Sequence, residues 1–213
     1  MKNGPLFFLG LVAALGISWV AIVLGSNAQL GDLPPYYDDS DGASYPAWLP
    51  GVAARGQIVY RAEGCASCHT QQVRRPGFGV DDKRGWGERQ SVARDYIYEP
   101  APQLGSMRIG PDLRNLGARK PSAPDADDLY LLLYKGKGSM PASPGLFSVR
   151  KVVGQVSDHA LKLTGSLRPP QGYEVVPTSK GQVLVAYLLN LNSTYDYPEA
   201  RVVADAPKEG SSK

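Results

Sequence analysis

Cysteine and histidine are the scarce residues of this chain. Cys65 and Cys68 are its two cysteines, and His69 and His159 its two histidines. With both thiols in one local stretch, no disulfide can tie distant segments together, so the fold must rest on its core or on a bound group. Two histidines also leave few ways to assemble a metal site. An excess of one charge is lacking too: 23 basic against 20 acidic residues give a net charge of +3, too small to point to nucleic acid. Glycine and proline, by contrast, are plentiful at 24 and 18 of 213 residues, which predicts short elements joined by long loops.

Near the start, Leu6 to Gly25 reads LFFLGLVAALGISWVAIVLG, without a charge. Twenty helical residues rise roughly 30 Å, the thickness of a bilayer core. A secretory signal has a shorter apolar region, of about 7–15 residues, although Ser26-Asn27-Ala28 would pass as a cleavage site. The run is therefore read as a retained anchor within residues 1–30. Lys2 precedes it and Asp32 and Asp38 to Asp41 follow it, so the cationic end is expected to stay cytoplasmic and the rest to be exported. Gly10, Ala14 and Ser18 make a small-residue stripe of the kind other helices dock on. Residues 31–50, GDLPPYYDDSDGASYPAWLP, hold four prolines and four acidic residues and are expected to form a semi-rigid linker without regular structure.

Beyond the linker stands Gly64-Cys65-Ala66-Ser67-Cys68-His69-Thr70. A structural zinc site needs about four ligands, and only His159 remains as a further cysteine or histidine. A thioredoxin-like thiol pair belongs beside a βαβ pattern, which is not visible. Covalent haem c accounts for all three residues: two thiols add to the two vinyl groups, and the adjacent imidazole binds the iron. Upstream, Val52 to Glu63 suits an amphipathic helix with Val52, Ile58, Val59 and Tyr60 as apolar members and Gly56 on the stripe. Near the other end, Thr178 to Asn192 has Thr178 or Ser179 as N-cap and Val183, Leu184, Tyr187, Leu188 and Leu191 at helical spacing. A first helix leading into the haem motif and packed on a last helix resembles a class I cytochrome c domain. The fold expected is mainly α, a single transmembrane helix plus such a domain over residues 51–197. A small β-hairpin is expected within residues 149–177, and a disordered tail over 198–213.

The iron's second ligand has three candidates, Met107, Met140 and His159. Met140 lies in Gly138-Ser139-Met140-Pro141, a loop able to present a thioether inward while proline restricts the backbone. Met107 sits in a loop nearer the haem motif, and His159 is flanked by Asp158 and Lys162. Sulfur opposite imidazole raises the reduction potential and leaves the iron no vacancy for substrate, which favours electron transfer over chemistry at the haem.

Four longer stretches are more specific: GCASCHTQQVRRP (64–76), DYIYEPAPQLGSMRIGPDLRNLGARKPS (95–122), GSMPASPGLF (138–147) and GYEVVPTSKGQVLVAYLLNLN (172–192). In content and order, with the leading anchor, they resemble the monohaem cytochrome c subunit, subunit II, of cbb3-type cytochrome c oxidases. The resemblance implies Cys65 and Cys68 as thioether attachments of one haem c, His69 as proximal ligand and Met140 as distal ligand. It also implies a membrane complex with a haem–copper catalytic subunit and further cytochrome subunits as partners, the haem domain being periplasmic. Pro111, in Gly110-Pro111-Asp112-Leu113, is expected to accept a hydrogen bond from the His69 ring, orienting it and strengthening it as a donor. The alternative is an ordinary Gly-Pro turn opening a short helix capped by Asp112. Arg74 and Arg108 are placed ahead of Arg75, Arg114 and Arg119 as partners for haem propionates, because guanidinium forks suit carboxylates. Trp86 and Tyr96 are read as packing.

Other functions stay open at this stage: the cytochrome subunit of a nitric oxide reductase, a haem enzyme with an open iron site, or a thiol or zinc-binding biogenesis factor. Cys68→Ala separates the last from the rest. It is expected to abolish or severely weaken haem staining of membranes, and unchanged staining would favour the biogenesis factor.

Overall fold

One uncharged run predicts one membrane-length helix, and the chain forms it: α1 spans Gly4–Leu30, long and apolar enough to cross a bilayer. At 1.5 Å per residue it is about 40 Å long. It passes through a wider π turn at Val20–Leu24, and none of its side chains is buried. The structure, a computed structural model, describes residues 3–201. Among the described residues it is mainly helical, with four helices and two small antiparallel hairpins. The chain divides into two compact units: Met1–Pro46 with Ala93–Pro100, and Ala47–Val92 with Ala101–Lys213.

In the first unit, the linker contains a hairpin where no regular element was expected. Strands β1 (Tyr36–Asp38) and β2 (Ala43–Tyr45) pair antiparallel, Tyr36 opposite Tyr45. The prolines fall outside the strands, where they remove no ladder hydrogen bond. The acidic residues build the turn: Asp38 Oδ1 accepts from the Ser40 amide at 2.8 Å, and Asp41 accepts from the Ala43 amide and the Tyr45 hydroxyl, at 2.9 and 2.5 Å. Arg94, from the distant segment 93–100, donates to the Pro34 carbonyl. That segment lies inside the expected cytochrome domain in sequence, yet it packs with the N-terminal unit.

The second unit is organised by two crossing helices, α2 (Gly51–Ala62) and, at the end of the fold, α4 (Ser179–Leu189). Thr178 caps α4, its hydroxyl accepting from the Gly181 amide. At the crossing, a Cβ on Gly56 would stand 1.9 Å from the Val183 carbonyl oxygen and 2.6 Å from Tyr187 Cβ, so only glycine permits the approach. Tyr60 and Tyr187 meet edge to face beside it, ring centroids 5.5 Å apart. The buried face of α2 is Ala53, Gly56 and Tyr60. Val52 and Ile58, expected on that face, are 47% and 66% exposed. Ile58 is two residues from both Gly56 and Tyr60, which turns it about 200° away on a helix.

Between these helices, α3 (Ala126–Lys135) starts at Asp125, whose carboxylate accepts from the Asp128 amide, and ends at Gly136. Its Leu129 and Leu133 enter the core, while Tyr130 and Tyr134 pack edge-on against Phe147. The expected hairpin is present as β3 (Phe147–Lys151) and β4 (Tyr173–Pro177), Phe147 opposite Pro177. At the far end Pro198–Ala200 forms a 3-10 turn with Ala200 buried, where disorder was expected; residues 202–213 of that expectation lie outside the described residues. The helix crossing yields a direct prediction. Gly56→Ala is expected to cost about 1–3 kcal/mol of unfolding free energy, because the overpacked methyl must push α2 and α4 apart. Chemical denaturation of the full chain measures it, and an unchanged midpoint would contradict the crossing.

Candidate haem-binding site

Helix α2 stops at Ala62, and Gly64 turns the chain at φ +71°, a conformation that side-chain-bearing residues rarely adopt. A 3-10 turn, Cys65–Ser67, follows, and Cys65 O accepts from the amides of Cys68 at 3.2 Å and His69 at 3.0 Å. Both cysteines are free and half-buried. Burial, with Glu63 adding to it, pushes the Cys65 thiol up to about 11. A redox-active thiol needs the opposite shift. No cluster of three or more His, Cys, Asp or Glu side chains that could hold a metal ion occurs among the described residues.

The His69 ring is held from two sides, and the residue's backbone by a third contact. Its Nδ1 lies 2.8 Å from the Pro111 carbonyl oxygen, the bond expected from the sequence. That carbonyl can only accept, so Nδ1 carries the proton and Nε2 is left as the basic nitrogen. The Gly110 backbone packs closely against the ring: a Cβ there would fall 2.2 Å from His69 Cε1. The residue's own carbonyl accepts from the Tyr60 hydroxyl at 3.5 Å, and burial raises the pKa of that hydroxyl, keeping it a donor. Two free thiols on one turn beside an imidazole with a single committed nitrogen fit a covalently attached, His-ligated haem.

Behind the ring, two chain segments are laced together. The Gly110 amide donates to the Cys68 carbonyl at 2.9 Å and the Leu113 amide to the Thr70 carbonyl at 2.8 Å. Asp112 does not cap a helix. Its fully buried carboxylate accepts from Thr70 Oγ1 at 2.5 Å, the Gln72 amide at 2.8 Å and the Arg114 amide at 2.9 Å. Gln71, also wholly buried, accepts from the Tyr187 hydroxyl at 2.9 Å and so ties the motif to α4.

Of the candidate distal ligands, Met140 is half-buried and packs on the hydrophobic core, as Cys65 and Ala66 do. Its loop is stiff: Lys137 and Met140 exchange backbone hydrogen bonds at 3.1 and 3.0 Å, and a Cβ on Gly136 would meet the Met140 carbonyl at 2.6 Å. Met107 is 57% exposed. His159 is exposed on the connection between β3 and β4. The arginines differ as well. Arg74 is exposed, and its backbone amide donates to Asp81. Arg108 directs Nη1 to Asp81 at 2.5 Å and Nη2 to the Gln72 carbonyl, 3.6 Å from Asp112, while its Nε is buried without a hydrogen-bond partner. The guanidinium also lies 5.6 Å from the centroid of the Trp86 ring. Sequence reasoning missed Asp81, Thr70 and the junction at Asp112. The one available signal was an acidic residue set among several arginines.

Comparison with known families gives a match. The family described as "Cytochrome C oxidase, mono-heme subunit/FixO" matches residues 48–161, which contain both cysteines, His69, Pro111 and Met140. No curated protein matches the chain.

The contact at Gly110 can be tested apart from any function. Gly110→Ala is expected to displace the imidazole and lower stability by about 1–3 kcal/mol. Denaturant unfolding reads the loss, and an unaltered midpoint would show that the ring is free to move aside.

Proposed function

This chain belongs to the mono-haem (FixO) subunit family of cytochrome c oxidases, and from that premise we propose that it is the membrane-anchored electron carrier of a cbb3-type oxidase. The family match supports one haem and membership of an oxidase complex; the remainder of the reading rests on the geometry and the sequence. When bound, the haem supplies a one-electron couple. The chain's residues hold it, orient it and keep it closed. Cys65 and Cys68 attach it through thioethers. His69 offers Nε2 to the iron, while the Pro111 carbonyl holds the Nδ1 proton and increases the basicity of the ring.

Met140 would supply a thioether ligand to the same iron, from a loop braced at Gly136. A soft sulfur ligand favours the ferrous state and raises the potential, which suits delivery to a strong oxidant. Arg74 and Arg108 lie in the loops around the motif and are the proposed partners of the propionates. Electrons leave toward the oxygen-reducing haem–copper subunit, with other cytochrome subunits alongside. α1 anchors the chain once in the cytoplasmic membrane, and the Lys2-to-aspartate asymmetry supports a haem domain on the periplasmic side.

The observation that carries this reading is the His69–Pro111 bond beside two free thiols, within the family match. Reduced-minus-oxidised spectra of the purified chain are expected to show a single c-type haem that resists acid–acetone extraction; an extractable haem would contradict the attachment. Met140→Leu is expected to lower the reduction potential substantially with the haem still attached. A redox titration superimposable on the wild type would remove Met140 as ligand.

A further inference from the structure

We propose that Asp112 is a positioning residue for the proximal imidazole, holding the Pro111 carbonyl on His69 Nδ1 through its hydrogen bond to Thr70. The inference rests on the reading of His69 as an iron ligand and assigns a role to a carboxylate outside the ligand set. Thr70 directly follows His69, and Asp112 directly follows Pro111, so the 2.5 Å bond between Thr70 Oγ1 and Asp112 Oδ2 is the rung next to the 2.8 Å His69–Pro111 bond. The Gln72 amide reaches the same Oδ2 at 2.8 Å, and the Arg114 amide takes Oδ1 at 2.9 Å. Both carboxylate oxygens are therefore held, and the peptide carrying the Pro111 carbonyl has little freedom to slide along the Cys68–Gln72 segment.

Burying this carboxylate completely is costly unless donors replace its water, and three do. Arg108 extends the brace. Its two Nη atoms reach Asp81, the Gln72 carbonyl and the edge of Asp112, linking the loop that carries Asp81 to the same junction. Arg119 adds a bond from its guanidinium to the Asp112 carbonyl oxygen. A solvated or merely helix-capping aspartate would not collect donors both from its own loop and from a segment about 40 residues upstream. The consequence is local: loosening Asp112 lets the Pro111 carbonyl retreat, weakens the Nδ1 bond and makes the imidazole a poorer donor to the iron.

The test uses the full-length, haem-loaded, 15N-labelled protein in detergent with Asp112→Asn, Thr70→Val and Thr70→Ser. Hydrogen exchange of the His69 Nδ1 proton is followed by NMR and the reduction potential by titration. Exchange is expected to accelerate about tenfold or more in Asp112→Asn and Thr70→Val, the size expected for losing one hydrogen bond to a charged group. The potential should rise in both, and Thr70→Ser, which restores the hydroxyl, should behave as wild type. Thr70→Val keeps the carboxylate charge, so a potential shift with altered exchange in that variant reports position. If only Asp112→Asn shifts the potential and neither variant changes the exchange rate, Asp112 acts through charge and the inference is overturned. Exchange at the wild-type rate in every variant overturns it as well. Should Asp112→Asn fail to yield folded protein, the Thr70 pair decides alone. A wild type whose Nδ1 proton lacks any shift from the haem would instead overturn the ligand reading beneath, an outcome separable from the others.

Discussion

The site depends on one hydrogen bond, from His69 Nδ1 to the Pro111 carbonyl across 2.8 Å. It joins residues 42 positions apart and decides which imidazole nitrogen is free, and with that what the ring can coordinate. Neither partner could hold it alone. A proline carbonyl on a free loop would pay the entropy of ordering that loop, and an imidazole on a turn would sample several rotamers. The backbone bonds on either side, the Asp112 carboxylate and the close approach of Gly110 remove that freedom in advance.

The rest of the second unit supports this arrangement from below. α2 delivers the cysteines at its C-terminal end, and its direction is set by the crossing with α4 at Gly56. The crossing also brings Tyr187 onto Gln71 and Tyr60 onto the His69 carbonyl, so two helices from opposite ends of the domain hold the motif between them. Met140 reaches the same core from a loop that Gly136 and a reciprocal backbone pair make rigid.

Much of this was legible from sequence because it depends on local spacing. Cys65, Cys68 and His69 are one pentapeptide, α1 is one uncharged run, and Gly56 lies on a helical stripe. Pro111 was found because a fixed carbonyl is what an imidazole N–H needs nearby. Other features were not legible, for particular reasons. Asp112 looks the same in sequence whether solvated or buried, and its donors lie about 40 residues upstream. Ile58 was placed on the buried face by its hydrophobicity, although its helical angle faces it outward. The 36–45 hairpin was missed because prolines were counted without regard to position; they fall beyond both strands, and the aspartates read as linker charge are its turn.

The most direct test of the account is the intact mass of the chain, purified from membranes and measured under denaturing, acidic conditions that strip non-covalent haem. The account predicts a polypeptide heavier by one haem, with the added mass located on the peptide containing Cys65 and Cys68. A chain at its bare polypeptide mass, or one with the added group elsewhere, would contradict it.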